Sequence, residues 1–266
     1  MKKTLFVVSD EHGHYKELRE ALSNAGWDEE NPSHLLISCG DCFDRGSESL
    51  SIYKFYKKLT EQGKAIVLKG NHTTMLIDFL EWSNSPFNYM HNGLNETIAD
   101  FVGRTAPFES WCAIDKDCDM NTLTYAEWAT CTRKDINNEY PELLEWLKNL
   151  PWYYETKNYI FVHGGIDTEA KDWHHPKVEY FGRIDWDALS WDDGSFLGKK
   201  VTNTNKTIVC GHFSTKALRE RYSIEDNPDD LDDTLYYDNK IFLDTCTILT
   251  KRINVLKIEM EELINE

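Results

Sequence analysis

Five short apolar runs, rich in β-branched residues, recur along the chain and end alike in Gly, Asp, Asn or His: TLFVVSDEH, HLLISCGDC, AIVLKGNH, NYIFVHGG and TIVCGH. A run of that length closed by turn residues predicts a buried strand. Between the first three lie YKELREALSNAGW and SESLSIYKFYKKLTEQG, whose apolar residues fall at helical spacing and which have glycine near their ends. The order is therefore β-α-β-α-β. Right-handed crossovers place such strands parallel in one sheet, with their C-terminal ends and polar clusters along a single edge. Ligand crevices form at that edge in open α/β sheets.

After the third strand, HTTMLIDFLEW predicts a helix, and from there to Leu150 no long alternating run occurs. LNETIADFVG, LTYAEWATCTRK and YPELLEWLKNL have helical periodicity, so residues 83–150 are expected to form a helical insertion that shapes the mouth of the site. LYYDNKIFLDTCTIL and RINVLKIEM predict antiparallel strands that close a second sheet. No linker, repeat or low-complexity tract divides the chain, and a single domain over 1–266 is expected. SIEDNPDDLDDT, with Asn227-Pro228 inside it, reads as a solvated loop; the calcium-loop pattern D-x-[DN]-x-[DN]-G is missing. Trp152, Tyr153 and Tyr154 are expected at a strand core and rim, and His174 and His175 in a surface loop.

Composition narrows the partners. Lys and Arg number 29 against 46 Asp and Glu, a net charge of 29 − 46 = −17, which argues against a general nucleic-acid footprint. In MKKTLFVVSD the apolar run breaks at Ser9 and Asp10, too soon for a signal-peptide core or a membrane span, so no membrane association and a cytoplasmic location are expected. Seven scattered cysteines do not make a disulfide framework. Cys39 and Cys42 form a C-x-x-C with no second pair, which reads as a strand thiol and a loop thiol, with zinc or redox chemistry as the alternative.

The candidate chemistry lies where apolar strands meet charge. Burying an unpaired carboxylate costs several kcal/mol, about 2–7 even for a neutral polar group, so Asp10 and Asp41 need compensation. His12, Asn71, His163 and His212 also follow strand ends, all expected with Asp10 and Asp41 on the same sheet edge, and supply the imidazole nitrogen and oxygen donors that bind Mn, Fe or Zn. One such residue alone is most often structural. Five clusters in sequence point to a metal centre.

The elements SDEHGH, GDCFDRG, KGNH, FVHGG and CGH, in that order, resemble the calcineurin-like metallophosphoesterases, and G-D-x-x-D-R-G resembles their phosphoprotein phosphatase branch. The likeness extends loosely to IFLDTCT. It implies an α/β fold of two packed mixed β-sheets flanked by helices. It also implies two divalent ions, Mn above all, with Fe or Zn as alternatives. Asp10 and His12 would hold the first ion, Asp41 would bridge both, and Asn71, His163 and His212 would hold the second. A hydroxide shared by the ions would attack phosphorus in line. Arg45 would bind the phosphoryl oxygens, and His72, held by Asp44, would protonate the leaving oxygen.

Three departures bear on the substrate. Thr73 and Thr74 follow G-N-H where relatives carry an acid. WDDGSF keeps Trp191 and Phe196 in register but places Asp193 where relatives carry a second phosphate-binding arginine. Arg183, Arg104 or Lys199 would then substitute, or the substrate is not a simple monoester. Cys246 replaces the glycine of L-D-T-G. The expected activity is hydrolysis of phosphoserine or phosphothreonine in proteins, or of small phosphomonoesters. Dinucleoside polyphosphate hydrolysis is the alternative, and a non-catalytic metal-binding interaction module is the rival from another class.

Overall fold

The computed structural model describes residues 3–82, 90–103, 125–174, 189, 192, 194–226 and 230–260. Two mixed sheets carry the fold. The first, in spatial order β3-β2-β1-β9, comprises β1 (Lys3–Val8), β2 (His34–Ser38), β3 (Ala65–Val67) and β9 (Leu256–Met260). The second, in order β4-β5-β6-β8-β7, comprises β4 (Tyr153–Glu155), β5 (Tyr159–Val162), β6 (Thr207–Cys210), β7 (Leu235–Tyr237) and β8 (Lys240–Phe242). β1, β2 and β3 run parallel, as do β5, β6 and β8; β9, β4 and β7 are antiparallel additions.

Side-chain parity along each strand explains the layers, because successive residues face opposite sides of a sheet. In β1, Leu5 and Val7 enter the core between the sheets, while Phe6 and Val8 enter the core beneath the helices. β2 divides in the same way, Leu35 and Ile37 against Leu36. In the second sheet Phe161, Val209 and Ile241 face the first sheet, and Ile160, Val162, Ile208 and Phe242 face outward into a third core. Strands buried on both faces read as continuous apolar runs, and that is why these segments do not alternate.

The helices of the first layer are α1 (Tyr15–Asn24), α2 (Ser49–Glu61), α3 (Asn71–Glu81), α4 (Leu94–Val102), α5 (Tyr125–Glu139) and α6 (Leu143–Asn149). α2 buries Ile52, Tyr53, Phe55, Tyr56 and Leu59, and α4 buries Leu94, Thr97, Ile98 and Phe101, each an i, i+3, i+4, i+7 stripe. Ile98, Trp128, Ile136 and Leu147 share one core with α1 and α2, so the helices between residues 90 and 150 pack into the first layer. α7 (Thr215–Tyr222) and α8 (Thr247–Thr250) follow β6 and β8. Among the described residues no helix is long and apolar enough to cross a membrane.

Two sequence expectations need correction. The five signature strands do not share one sheet edge: β1, β2 and β3 belong to one sheet, β5 and β6 to the other. RINVLKIEM does not close the second sheet; β9 pairs antiparallel with β1, Leu5 opposite Ile258. Its alternation suits an edge strand, with Ile258 and Met260 inward and Lys257 and Glu259 exposed. Alternation reveals a half-buried strand but not which edge it covers.

Candidate metal centre

The signature loops leave their strands through unusual backbone. Among the described residues ten non-glycine positions have positive φ, and six of these are candidate site residues: Asp10 (58°), His12 (44°), Asp41 (56°), Asp44 (72°), Arg45 (66°) and His212 (68°). Such conformations cost about 1–3 kcal/mol each and persist only where the surroundings over-determine them. Here the surroundings are hydrogen bonds that extend the β1–β2 pairing past the strands. Asp10 N–H donates to Gly40 O at 3.0 Å, His12 N–H to Asp41 O at 3.0 Å, and Gly13 N–H to Cys42 O at 2.8 Å. The second sheet meets them directly, as His212 N–H donates to Asp10 Oδ2 at 3.0 Å. A Cβ on Gly211 would overlap Ser9 Oγ and Asp10 Oδ2, so only glycine permits that approach.

The histidines are oriented from behind. His12 Nδ1–H donates to Phe43 O at 2.9 Å and His163 Nδ1–H to Cys39 O at 2.8 Å, while His212 donates through Nε2–H to Asp192 O at 2.8 Å. Each ring therefore presents its other nitrogen, with its lone pair, to the interior of the cluster. His163 Nε2 lies 3.0 Å from Asn71 Oδ1, 3.1 Å from Asp41 Oδ2 and 3.2 Å from His212 Nδ1. Four acceptor atoms this close repel one another unless positive charge stands among them. On the other side, Asp41 Oδ2 lies 4.0 Å from His12 Nε2 and 3.9 Å from His72 Nε2, and Asp10 Oδ1 lies 3.9 Å from His12 Nε2. Ligand-type atoms thus gather in two groups, His12–Asp41–His72 and Asp41–His163–His212, which share Asp41. These donor sets fit divalent cations.

Electrostatics give the same picture for the polypeptide alone. Burial pushes the Asp10 carboxyl up to about 6, against the pull of His163 and with a push from Asp41. Burial also disfavours the Asp41 carboxylate, but His163 and His72 outweigh it and hold Asp41 well below the ordinary carboxylate range. His163, resisted by burial, is raised to about 9 by Asp41. Burial and the charge on His163 lower His212 to about 4, while burial and His72 lower His12. A proton at His163 is the positive charge the chain itself can place among those acceptors.

Beside the cluster lies a second constellation. His72 Nδ1–H donates to Asp44 Oδ2 at 2.7 Å, and Asp44 is 0% exposed. Arg45, exposed at the surface, donates from Nη1 to His12 Nε2 and from Nη2 to His72 Nε2, both at 3.0 Å. His72 lies in the first turn of α3, where its backbone N–H also donates to Asp41 Oδ1 at 3.1 Å.

The structure therefore brings together Asp10, His12, Asp41, Asp44, Arg45, Asn71, His72, His163 and His212, although two sheets rather than one supply them. Arg183, Asp193 and Arg104 lie outside the described residues, as do Trp191 and His175. Lys199 is exposed just beyond a short 3-10 helix, Phe196–Gly198, and its carbonyl accepts from Lys240 Nζ. His174 contacts Glu155 and Asp172 in a turn, as expected of a loop residue. Cys39 packs between the sheets and Cys42 beneath the helices, two buried thiols that enter different cores. Residues not anticipated as site residues include Asp244, whose buried carboxyl is pushed up by burial and by Asp10, and Thr97, which donates to Asp44 Oδ1 at 2.7 Å. Asp244 could have been found from the LDTC resemblance. For Thr97 the one signal is its helical spacing, which sets it on the stripe of Leu94, Ile98 and Phe101 and so marks burial, though not its partner Asp44.

Comparison with known proteins agrees with this geometry. A profile of the calcineurin-like phosphoesterase family matches residues 3–244. Serine/threonine-protein phosphatase 2 of Salmonella typhimurium is 24% identical over 264 residues, covering 96% of this chain and 93% of that protein. An asymmetrical bis(5'-nucleosyl)-tetraphosphatase of Bacillus velezensis is 32% identical over 100 residues, covering 35% of this chain and 39% of that protein. Among solved structures, a cold-active protein-tyrosine phosphatase of a psychrophilic Shewanella species superposes with TM-score 0.51 at 16% identity, covering 96% of this chain and 75% of that one. The match over residues 3–244 takes in β1 to β8 and every strand-end donor, and the chain accordingly belongs to the calcineurin-like phosphoesterases, metal-dependent hydrolases acting on phosphoester bonds.

Proposed function

We propose that this chain hydrolyses phosphomonoesters, phosphoserine and phosphothreonine in proteins among them, at a centre of two divalent ions. Asp10 and His12 would hold one ion, Asn71, His163 and His212 would hold the other, and Asp41 would serve both. The observation that carries the reading is the convergence of Asp41 Oδ2, His163 Nε2, His212 Nδ1 and Asn71 Oδ1, acceptors whose rings are fixed from behind by backbone carbonyls. Mixed imidazole and oxygen donors suit Mn, with Fe and Zn as the other candidates. When bound, the ions supply Lewis acidity at the phosphoryl group and lower the pKa of water.

The remaining steps belong to the chain. Two N–H groups of Arg45 donate to His12 Nε2 and His72 Nε2 in the metal-free chain; an ion on His12 and a proton on His72 Nε2 would take up those lone pairs, which frees the planar fork for phosphoryl oxygens. His72, its Nδ1–H held by Asp44, presents Nε2 to the leaving oxygen and delivers a proton there once charged. Asp44 fixes the tautomer and stabilises the imidazolium.

A second reading, dinucleoside polyphosphate hydrolysis, is favoured by the 32% identity to the Bacillus tetraphosphatase over 100 residues. Both substrates use the same ions and the same acid. A panel of phosphopeptides and diadenosine tetraphosphate, assayed with added Mn, separates them: faster turnover of phosphopeptides is expected, and cleavage of the anhydride alone would transfer the assignment.

A further inference from the structure

The loop that carries Asp44 and Arg45 is braced by a helix far along the chain. Asp44 N–H donates to Thr97 Oγ1 at 2.8 Å, and Thr97 Oγ1 donates to Asp44 Oδ1 at 2.7 Å. The threonine hydroxyl has one hydrogen, and a carboxylate can only accept, so that hydrogen goes to Asp44. Ser49 Oγ, 3.0 Å away, must then donate to Thr97. The hydroxyl uses its hydrogen and both lone pairs, and Asp44, Thr97 and Ser49 are all 0% exposed. On either side the same helix grips the loop again, with Arg45 N–H donating to Gly93 O at 3.0 Å and Leu50 N–H to Asp100 Oδ2 at 2.7 Å.

We infer that Thr97 is a positioning residue for the His72 acid, completing a chain Thr97–Asp44–His72. The argument is one of donors. Asp44 Oδ2 is held by His72 and Oδ1 by Thr97, so the carboxylate has one orientation at a position closed to bulk solvent, both Asp44 and Thr97 being fully buried. Asp44 and Arg45 both have positive φ, and the bond from Asp44 N–H to Thr97 helps to hold that strained backbone. Without the hydroxyl, the carboxylate loses one of its two side-chain donors and can turn, and His72 loses the fixed partner that sets its tautomer. The inference rests on the role of His72 proposed above.

The test compares Thr97→Val, Thr97→Ser and His72→Asn with the parent, as full-length metal-loaded protein, on an alkyl phosphate and on 4-nitrophenyl phosphate. An alkoxide leaving group needs a proton and a nitrophenolate hardly does. Thr97→Val is expected to lower kcat about tenfold on the alkyl phosphate and less than about threefold on the aryl one, with bound metal unchanged by elemental analysis. Thr97→Ser, which keeps the hydroxyl, should recover the alkyl rate to within about twofold, and His72→Asn should show the same split more strongly. Equal losses of Thr97→Val on both substrates, or no rescue by serine, while His72→Asn keeps its split, would overturn this inference alone. Equal losses for His72→Asn would remove the acid role, and the inference with it. If the valine variant does not fold, Thr97→Cys, of similar size and a weak donor, replaces it under the same criteria.

Discussion

At the scale of single residues, Asp41 is the pivot. Its Oδ2 lies 3.1 Å from His163 Nε2 and within 4.0 Å of both His12 and His72, whereas Asp10 lies 3.9 Å from the ring of His12 and meets His212 through the backbone N–H. Asp41→Asn is therefore expected to lose more activity and more bound metal than Asp10→Asn, measured by initial rates and elemental analysis; equal losses would contradict a shared ligand. The same geometry predicts a pH dependence in metal-stripped protein. His163 is raised to about 9 in the fold from an ordinary 6.5, so its stabilising contribution is complete below about 6.5 and is lost as pH rises through 9. The melting temperature of stripped protein should fall across that window, and His163→Asn should flatten the fall. The sequence revealed the ligands because each follows an apolar strand, where charge is conspicuous. It concealed the role of Thr97, whose hydroxyl acts across 53 positions of chain to Asp44.

Elements show where sequence patterns stop. Periodicity identified α2 and α4 because their apolar stripes are complete, and it identified the buried strands as unbroken runs. Sheet membership was hidden, because Leu5 and Phe6 are equally apolar although they enter different cores. A pair of glycines flanking α4 offers a test of its bracing role. Both have positive φ, 83° for Gly93 and 66° for Gly103, so alanine at either costs about 1 kcal/mol or more from the backbone. They differ in surroundings: a Cβ on Gly93 would come within 2.6 Å of Arg45 N and 2.7 Å of Arg45 Cγ, while one on Gly103 would meet nothing within 4 Å. Gly93→Ala should raise KM for aryl phosphate about threefold or more by displacing Arg45, and Gly103→Ala should lower stability alone. Equal KM values in the two variants would show that α4 does not set the position of Arg45.

For the whole molecule, the two sheets meet at an acidic and imidazole-rich seam in a chain with a net charge of −17. Loops from both sheets join there, Asp10 to His212 and Cys39 to His163, so a cation held at the seam ties the halves together. A ligand that binds only the folded state stabilises it, by about 2.7 kcal/mol at a hundredfold excess over its Kd. Chelation should consequently lower the melting temperature, and Mn should restore it. The central claim is that this seam is a metal-dependent phosphoesterase centre. Its most direct test is to strip the protein of metal, titrate Mn back, and follow bound metal by elemental analysis and hydrolysis of 4-nitrophenyl phosphate in the same samples. The account predicts no hydrolysis in the stripped protein and a rate that saturates at about two ions per chain. Full hydrolysis by a protein in which elemental analysis finds no transition metal would contradict it.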